Sequence, residues 1–187
     1  VTGVQTCALP IFRVTVSSST TVPTGSAIVF VDGNSLGTCT LAAGICDVTT
    51  GSLSVGPHTV SATYTGNGNH LASDSATITQ TILRATTTTS ITGSAADATQ
   101  GSTVVYTVTV DSTTGTPTGT AQVYEGDLLK GSCTLAPVSA TRASCSVPYA
   151  GFGPGLYYLT GVFAGSTNFA PSMSTVDFAQ NIWAPTT

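Results

Sequence analysis

The chain has 187 residues, 41% of them hydrophobic and 6% charged, with a formal net charge of −4. Its four cations, Arg13, Arg84, Lys130 and Arg142, are too scattered to form the basic stripe that a phosphate backbone needs, which excludes nucleic acid as a partner. No run approaches the roughly 18 apolar residues of a membrane span, and β-branched and aromatic residues at alternate positions exclude a disordered chain.

In chain order, the first stretch is VTGVQTCALPI at residues 1–11. It lacks the basic, apolar and small-residue segments of a signal peptide, which leaves either a cytosolic protein or one whose N-terminus lies upstream. The stretch resembles the translation of a widely used short-read sequencing adapter, whose leftover T suits a Phe codon at residue 12. On that reading residues 1–11 are an artefact and Cys7 is foreign to the protein.

A first strand is predicted from Phe12 to Val16, and a later one carries His58, Val60, Ala62 and Tyr64 on one face. The run TTTTSI then opens a second series. Val104, Tyr106, Val108 and Val110 alternate with Val105, Thr107 and Thr109, and Tyr157, Leu159, Gly161 and Phe163 form another face. Turn signals such as TGTPTG, YEGD, GFGPG and GSTN separate the runs, and no stretch keeps a helical period.

The two series are one repeated module. Phe12-Arg13-Val14-Thr15-Val16 matches Tyr106-Thr107-Val108-Thr109-Val110, and Pro23-Thr24-Gly25 matches Pro117-Thr118-Gly119; 106 − 12 and 117 − 23 are both 94. Beyond an insertion between Leu135 and Cys145 the offset becomes 99, as Gly66 and Gly165 show. About seven short strands per hundred residues predicts an immunoglobulin-like sandwich. The fold class is therefore all-β, as tandem immunoglobulin-like β-sandwiches. The predicted domains are repeat 1 over residues 12–83 and repeat 2, complete, over 84–182. Residues 183–187 start a third repeat or form a linker. Phe12 is the counterpart of Tyr106, so repeat 1 is expected to lack its first strand and to be N-terminally truncated.

TPTGTAQVYEGDLLKGSCTL followed by GLYYLTGVFAGSTNFAPSMS resembles the bacterial Ig-like repeats patterned PTGxVxFxDGxxxLGxxxL, then Gly-x-His and Tyr-x-Gly-Asp-x-Asn-Phe. Pro23-Thr24-Gly25, Val29, Phe30, Asp32-Gly33, Leu36-Gly37, Leu41, His58, Tyr64, Gly66 and Asn69 fit the same pattern in the first copy. The Asp of the last motif is Asn67 in one copy and Ser166 in the other, which weakens a cation-binding role at that turn.

Setting Cys7 aside leaves two cysteines per repeat. Cys39 and Cys46, and likewise Cys133 and Cys145, flank predicted hairpins; the sum 39 + 46 also joins Leu41 to Gly44, so the cysteines are expected to oppose one another directly at a non-hydrogen-bonded position. Two disulfides follow, in preference to free thiols or a metal site, since no CxxC spacing or neighbouring His supports zinc. The chain-entropy model gives about 2.5 kcal/mol for the shorter loop and about 3 for the longer. Disulfides persist outside the cytosol, which places the protein at the cell surface or in the extracellular space.

Residues that could carry chemistry are few. Gly33-Asn34-Ser35-Leu36-Gly37 matches the G-x-S-x-G elbow in letters, but it occupies a hairpin and its counterpart at 127–131 has no serine. His58 falls on a strand face where the other copy has Tyr157, and His70 follows a turn opposite Phe169, so both read as structural. Glu125 and Asp127 correspond to Val31 and Gly33 and make no repeated calcium site. No catalytic residue, metal ligand or cofactor is expected. Tyr149, Tyr158 and Trp183 are the candidate ligand-contact aromatics, with interdomain packing as the blander alternative.

The expectation is a non-catalytic stalk or spacer of a larger exported bacterial protein. Its partners would be neighbouring Ig-like repeats, with a surface glycan or protein ligand as a further candidate and no membrane insertion. The alternative is an adhesive or carbohydrate-binding repeat acting through avidity. A hydrolase would need its catalytic domain elsewhere.

Overall fold

The computed structural model describes residues 10–51 and 53–185. Cys7 and most of the adapter-like stretch, and the expected start of a third copy at Thr186 and Thr187, lie outside the described residues. The chain divides into two compact units with the boundary between Leu83 and Arg84. Among the described residues every regular element is a strand.

The first unit contains β1 (Ile11–Thr15), β2 (Ser26–Val31), β3 (Asn34–Thr40), β4 (Ile45–Thr49), β5 (Gly56–Tyr64), β6 (Ser73–Asp74) and β7 (Ile78–Ile82). β1 pairs with β4, while β3, β2, β5 and β6 lie side by side in a second sheet that β7 joins by pairing with β5. Ile11, the last residue of the adapter-like stretch, opens β1 opposite Thr49. The second unit contains β8 (Thr87–Gly93), β9 (Asp97–Thr99), β10 (Val104–Ser112), β11 (Thr120–Glu125), β12 (Leu128–Thr134), β13 (Ala136–Ser139), β14 (Arg142–Tyr149), β15 (Gly155–Phe163), β16 (Ser172–Met173) and β17 (Phe178–Trp183). Its sheets run β13-β14-β10-β8 and β12-β11-β15-β17-β9, with β16 on β15. Trp183, assigned by the sequence to a linker or third repeat, is the last residue of β17 and pairs with Thr99.

Alternation places the core. Tyr106, Val108 and Val110 on β10 face Ala121 and Val123 on β11 and Leu159 and Phe163 on β15, and all are buried. In the first unit Phe12, Val29, Val31, Val48 and Val60 form one cluster, and Ala27, Leu41, Cys46 and Tyr64 another. Each fully buried aliphatic or aromatic side chain contributes about 1.5–3 kcal/mol.

Both disulfides form, Cys39–Cys46 with Cα atoms 5.7 Å apart and Cys133–Cys145 at 5.8 Å. Their setting differs from the sequence expectation. The turn closes at Ala42 and Ile45, which exchange both backbone hydrogen bonds, so Leu41 and Gly44 are not a ladder pair. β3 and β4 then part into different sheets, as do β12 and β14. The cysteines oppose one another across the gap between sheets rather than across a hairpin ladder. Two residues away the sheets come so close that a Cβ on Gly131 would stand 2.5 Å from Val147 Cγ1, and one on Gly37 would stand 3.2 Å from Val48 Cγ1. Glycine keeps this corner narrow enough for the bridge.

One buried polar contact is peculiar to the second unit. The Tyr106 hydroxyl donates to Gln180 Oε1 at 3.0 Å, while Gln180 Nε2 donates to the carbonyls of Ala96 and Asn181. Burial pushes the Tyr106 phenol up to about 12. Phe12 is its counterpart in the first unit and has no hydroxyl to offer. Tyr106→Phe is expected to lower the stability of the second unit by about 1–3 kcal/mol, because Gln180 Oε1 loses its donor in the core. Denaturant unfolding of the full chain, followed by second-unit amides, reads the loss.

Candidate functional surface

The strand-and-turn end that carries Asp32 and His58 gathers several hydrogen-bonded polar groups of the first unit. Asp32 and Gly33 both adopt left-handed backbone angles, φ 50° and 79°, as the two central residues of the β2–β3 hairpin. Asp-Gly suits this turn because both positions require positive φ. The turn aims the Asp32 carboxylate at the start of β5. His58 Nδ1 lies 2.7 Å from Asp32 Oδ2, and the Thr59 backbone N–H donates to Oδ1 at 2.8 Å.

His58 Nε2 lies 2.8 Å from the carbonyl oxygen of Ser54 and 3.5 Å from its Oγ. Asp32, His58 and Ser54 are thus the residue types of a hydrolytic triad, brought together by folding. The protons argue against that chemistry. A carboxylate and a carbonyl are acceptors only, so both ring nitrogens must donate, and a doubly protonated ring cannot take a proton from the serine hydroxyl. The hydrogen bond to Asp32 and then that to Ser54 hold the His58 imidazole above its ordinary value, and His58 with the Thr59 N–H holds Asp32 below its own. The arrangement is an ion-paired latch between a hairpin turn, a strand and the preceding loop.

The second unit makes the same latch without charge. Tyr157 replaces His58, and its hydroxyl donates to the carbonyl of Gly153, the counterpart of Ser54, at 3.1 Å. Gly126 stands where Asp32 does. Nearby, Glu125 and Lys130 replace the apolar pair Val31 and Leu36. Lys130 Nζ is 2.6 Å from Glu125 Oε2, with only 6% of the lysine side chain exposed. Burial pulls the ammonium down, but Glu125 and Tyr149 more than offset it and leave it above its ordinary value. It also lies 5.3 Å and 5.1 Å from the ring centroids of Tyr149 and Phe152, within cation–π range.

This contact decides the fate of the three candidate aromatics. Tyr149, on β14, packs its ring 4.6 Å from Phe152 and covers Lys130. Tyr158 and Trp183 lie instead on the outward face of the other sheet, 56% and 59% exposed. The indole N–H of Trp183 donates to Asp97 Oδ1 at 3.3 Å, and Asn181 Nδ2 donates to the same oxygen at 3.0 Å. Tyr149 therefore makes no row with the other two.

Other sequence candidates have plain places. Ser35, of the Gly33–Gly37 motif, pairs with Phe30 in a hairpin ladder. His70 Nε2 lies 3.1 Å from the Thr21 hydroxyl and His70 N–H donates to Asn67 Oδ1, so His70 ties down its turn. Asn67 Oδ1 also accepts from the Asn69 N–H, which makes residue 67 a turn cap. Among the described residues no group of three or more His, Cys, Asp or Glu side chains is placed to hold a metal ion.

Residues 3–83 match the family described as bacterial Ig-like domain (group 3). The first unit is thus similar to that family. Among solved structures, fibronectin(III)-like modules of Clostridium thermocellum CbhA match with 12% identity and a TM-score of 0.40, over 93% of this chain and 85% of that one. That likeness is too distant to bear on function. No curated protein matches.

The latch sets a pH dependence in the first unit. Raising His58 stabilises the fold fully below its ordinary 6.5, and this is lost as pH rises through the higher folded value; lowering Asp32 stabilises fully above its ordinary 3.8, and this is lost as pH falls through the lower folded value. Stability from the pair is therefore greatest between 3.8 and 6.5. His58→Tyr, the second unit's solution, is expected to flatten the decline on the alkaline side. Thermal unfolding of both proteins between about pH 3 and about pH 9 measures it.

Proposed function

We propose that this chain is a non-catalytic spacer segment of an exported bacterial protein, which holds other domains at a distance. The observation that carries the reading is that each unit closes its own core with its own inter-sheet disulfide. Only residues 83–86 lie between β7 and β8. Self-contained modules on short connections resist local opening, because each keeps its cohesion within itself.

The bacterial Ig-like likeness supports a structural role. Export follows from the chemistry of the cysteines, since disulfides persist where thiols are not held reduced. Tyr158 and Trp183 favour a second reading, in which the outward face of β15 and β17 stacks on sugar rings and gains affinity by repetition along an array.

One pair of measurements separates these readings. Thiol trapping of the protein in its native host is expected to leave Cys39, Cys46, Cys133 and Cys145 unalkylated; free thiols there would overturn export. A glycan array is expected to show no binding. Reproducible binding lost on Trp183→Ala would replace the spacer by the adhesive reading.

A further inference from the structure

The strands that open and close the second unit lie side by side and run the same way. β9 pairs with β17 in parallel, Asp97 opposite Asn181 and Thr99 opposite Trp183. Upstream, Ala85 and Thr89 form parallel bridges to Phe169 and Ser174, in the segment that leads into β17. β16 and β17 are both antiparallel to β15, so that segment shares the direction of β17. The chain therefore enters the unit beside Phe169 and leaves it at the far end of β17.

Hydrogen bonds cross this seam along its whole length. At the entry the Ala85 N–H donates to the Asn168 carbonyl and the Ala170 N–H to the Ala85 carbonyl, each at 2.9 Å. Thr87 Oγ1 donates to the Ala170 carbonyl at 2.7 Å, and the hydroxyls of Thr87 and Thr89 both meet Ser172 Oγ at 2.7 Å. At the exit the Asn181 N–H donates to the Ala96 carbonyl at 2.8 Å and the Gln100 N–H to the Trp183 carbonyl at 2.9 Å. Side chains reinforce the exit half: Gln180 Nε2 donates to the Ala96 carbonyl, and Asp97 Oδ1 accepts from Asn181 Nδ2 and from the Trp183 indole. Between the halves, Gly93 admits the Phe178 ring so closely that a Cβ there would stand 2.5 Å from Cε1.

We propose that the second unit bears tension, with this parallel seam as a shear clamp that keeps it shut when the chain is pulled from its two ends. The proposal rests on the spacer reading and adds that the spacer holds its length under load. Pulling backward at Ala85 and forward at Trp183 slides the two sides of the seam along each other. Ladder bonds run across strands rather than along them, so sliding loads them together, whereas peeling would break them one at a time. The Cys133–Cys145 bridge joins β12 to β14, outside the seam, so it carries no load until the seam has yielded. It then withholds the residues between the two cysteines from extension. Forced opening is governed by the unfolding rate rather than by equilibrium stability, so a seam substitution is separable from one elsewhere in the unit.

The test is single-molecule pulling of the full chain at constant force, tethered by its ends. The second unit's extension step is about 8 nm longer than the first's, because more of its residues lie outside its disulfide loop, and this length identifies it. In the unaltered chain it is expected to open in one step. Asp97→Ala takes the acceptor from Asn181 and Trp183 and is expected to raise the second unit's opening rate at least about fivefold, with the first unit's rate unchanged. Asp97→Asn keeps an acceptor oxygen and is expected to stay within about twofold of the unaltered chain. Arg142→Ala opens the exposed ion pair with Asp111, between β14 and β10 and off the seam, and is expected to stay within about twofold as well. An unchanged rate with Asp97→Ala, an equal rise with Arg142→Ala, or opening of the unaltered unit in several short steps would each overturn the clamp. The step length shows that each molecule's second unit was folded before it opened, so misfolding cannot imitate these results. Glycan binding or free thiols would overturn the spacer reading and leave the opening rates as they are, which keeps the two failures distinct.

Discussion

In each unit the chain passes from one sheet to the other between its two cysteines, and a disulfide spans the passage. The turn after β3 closes at Ala42 and Ile45, and from there the chain leaves one sheet for the other. Nothing in a hydrogen-bonded ladder holds two sheets together, because ladder bonds lie within a sheet. The sheets are held by burial of their inner faces and, at this corner, by a covalent bond. Close approach at Gly37 and Gly131 lets the cysteine Cα atoms come within 5.7 and 5.8 Å.

With the frame secured, the two copies meet the same local needs by different chemistry. A ring at the start of the long strand holds a loop carbonyl in both, as a charged imidazole beside Asp32 or as the neutral phenol of Tyr157. Arg13 and Asp47 form an ion pair across β1 and β4, where Thr107 and Ser146 share a hydroxyl contact across β10 and β14. Val31 and Leu36 pack as hydrocarbons, where Glu125 and Lys130 make an ion pair under two aromatic rings. Such exchanges preserve contact while changing charge. The Asp32–His58–Ser54 grouping fits this view, since its hydrogen-bond partners take up both ring nitrogens.

The two units also differ in how their strand edges are covered. β10 has a neighbour on each side, and β1 has one among the described residues.

Strand periodicity, the repeat and the membership of the cysteine pairs were legible in the sequence alone, because they depend on local alternation and on spacing along one chain. So was the structural reading of His58, which followed from Tyr157 at the same position in the other copy. The sheet to which each strand belongs was not legible. Cys39 and Cys46 look like hairpin neighbours by counting, and only the divergence of β3 and β4 makes their bond an inter-sheet one. Lys130 carried a signal in the joint replacement of Val31 and Leu36 by Glu and Lys, but its burial depends on Tyr149 and Phe152, which arrive from β14 and the loop after it. The same contact removed Tyr149 from the exposed aromatics. Period and spacing are properties of one strand at a time, whereas burial and pairing are set by what packs against it, and that is decided only when the sheets close.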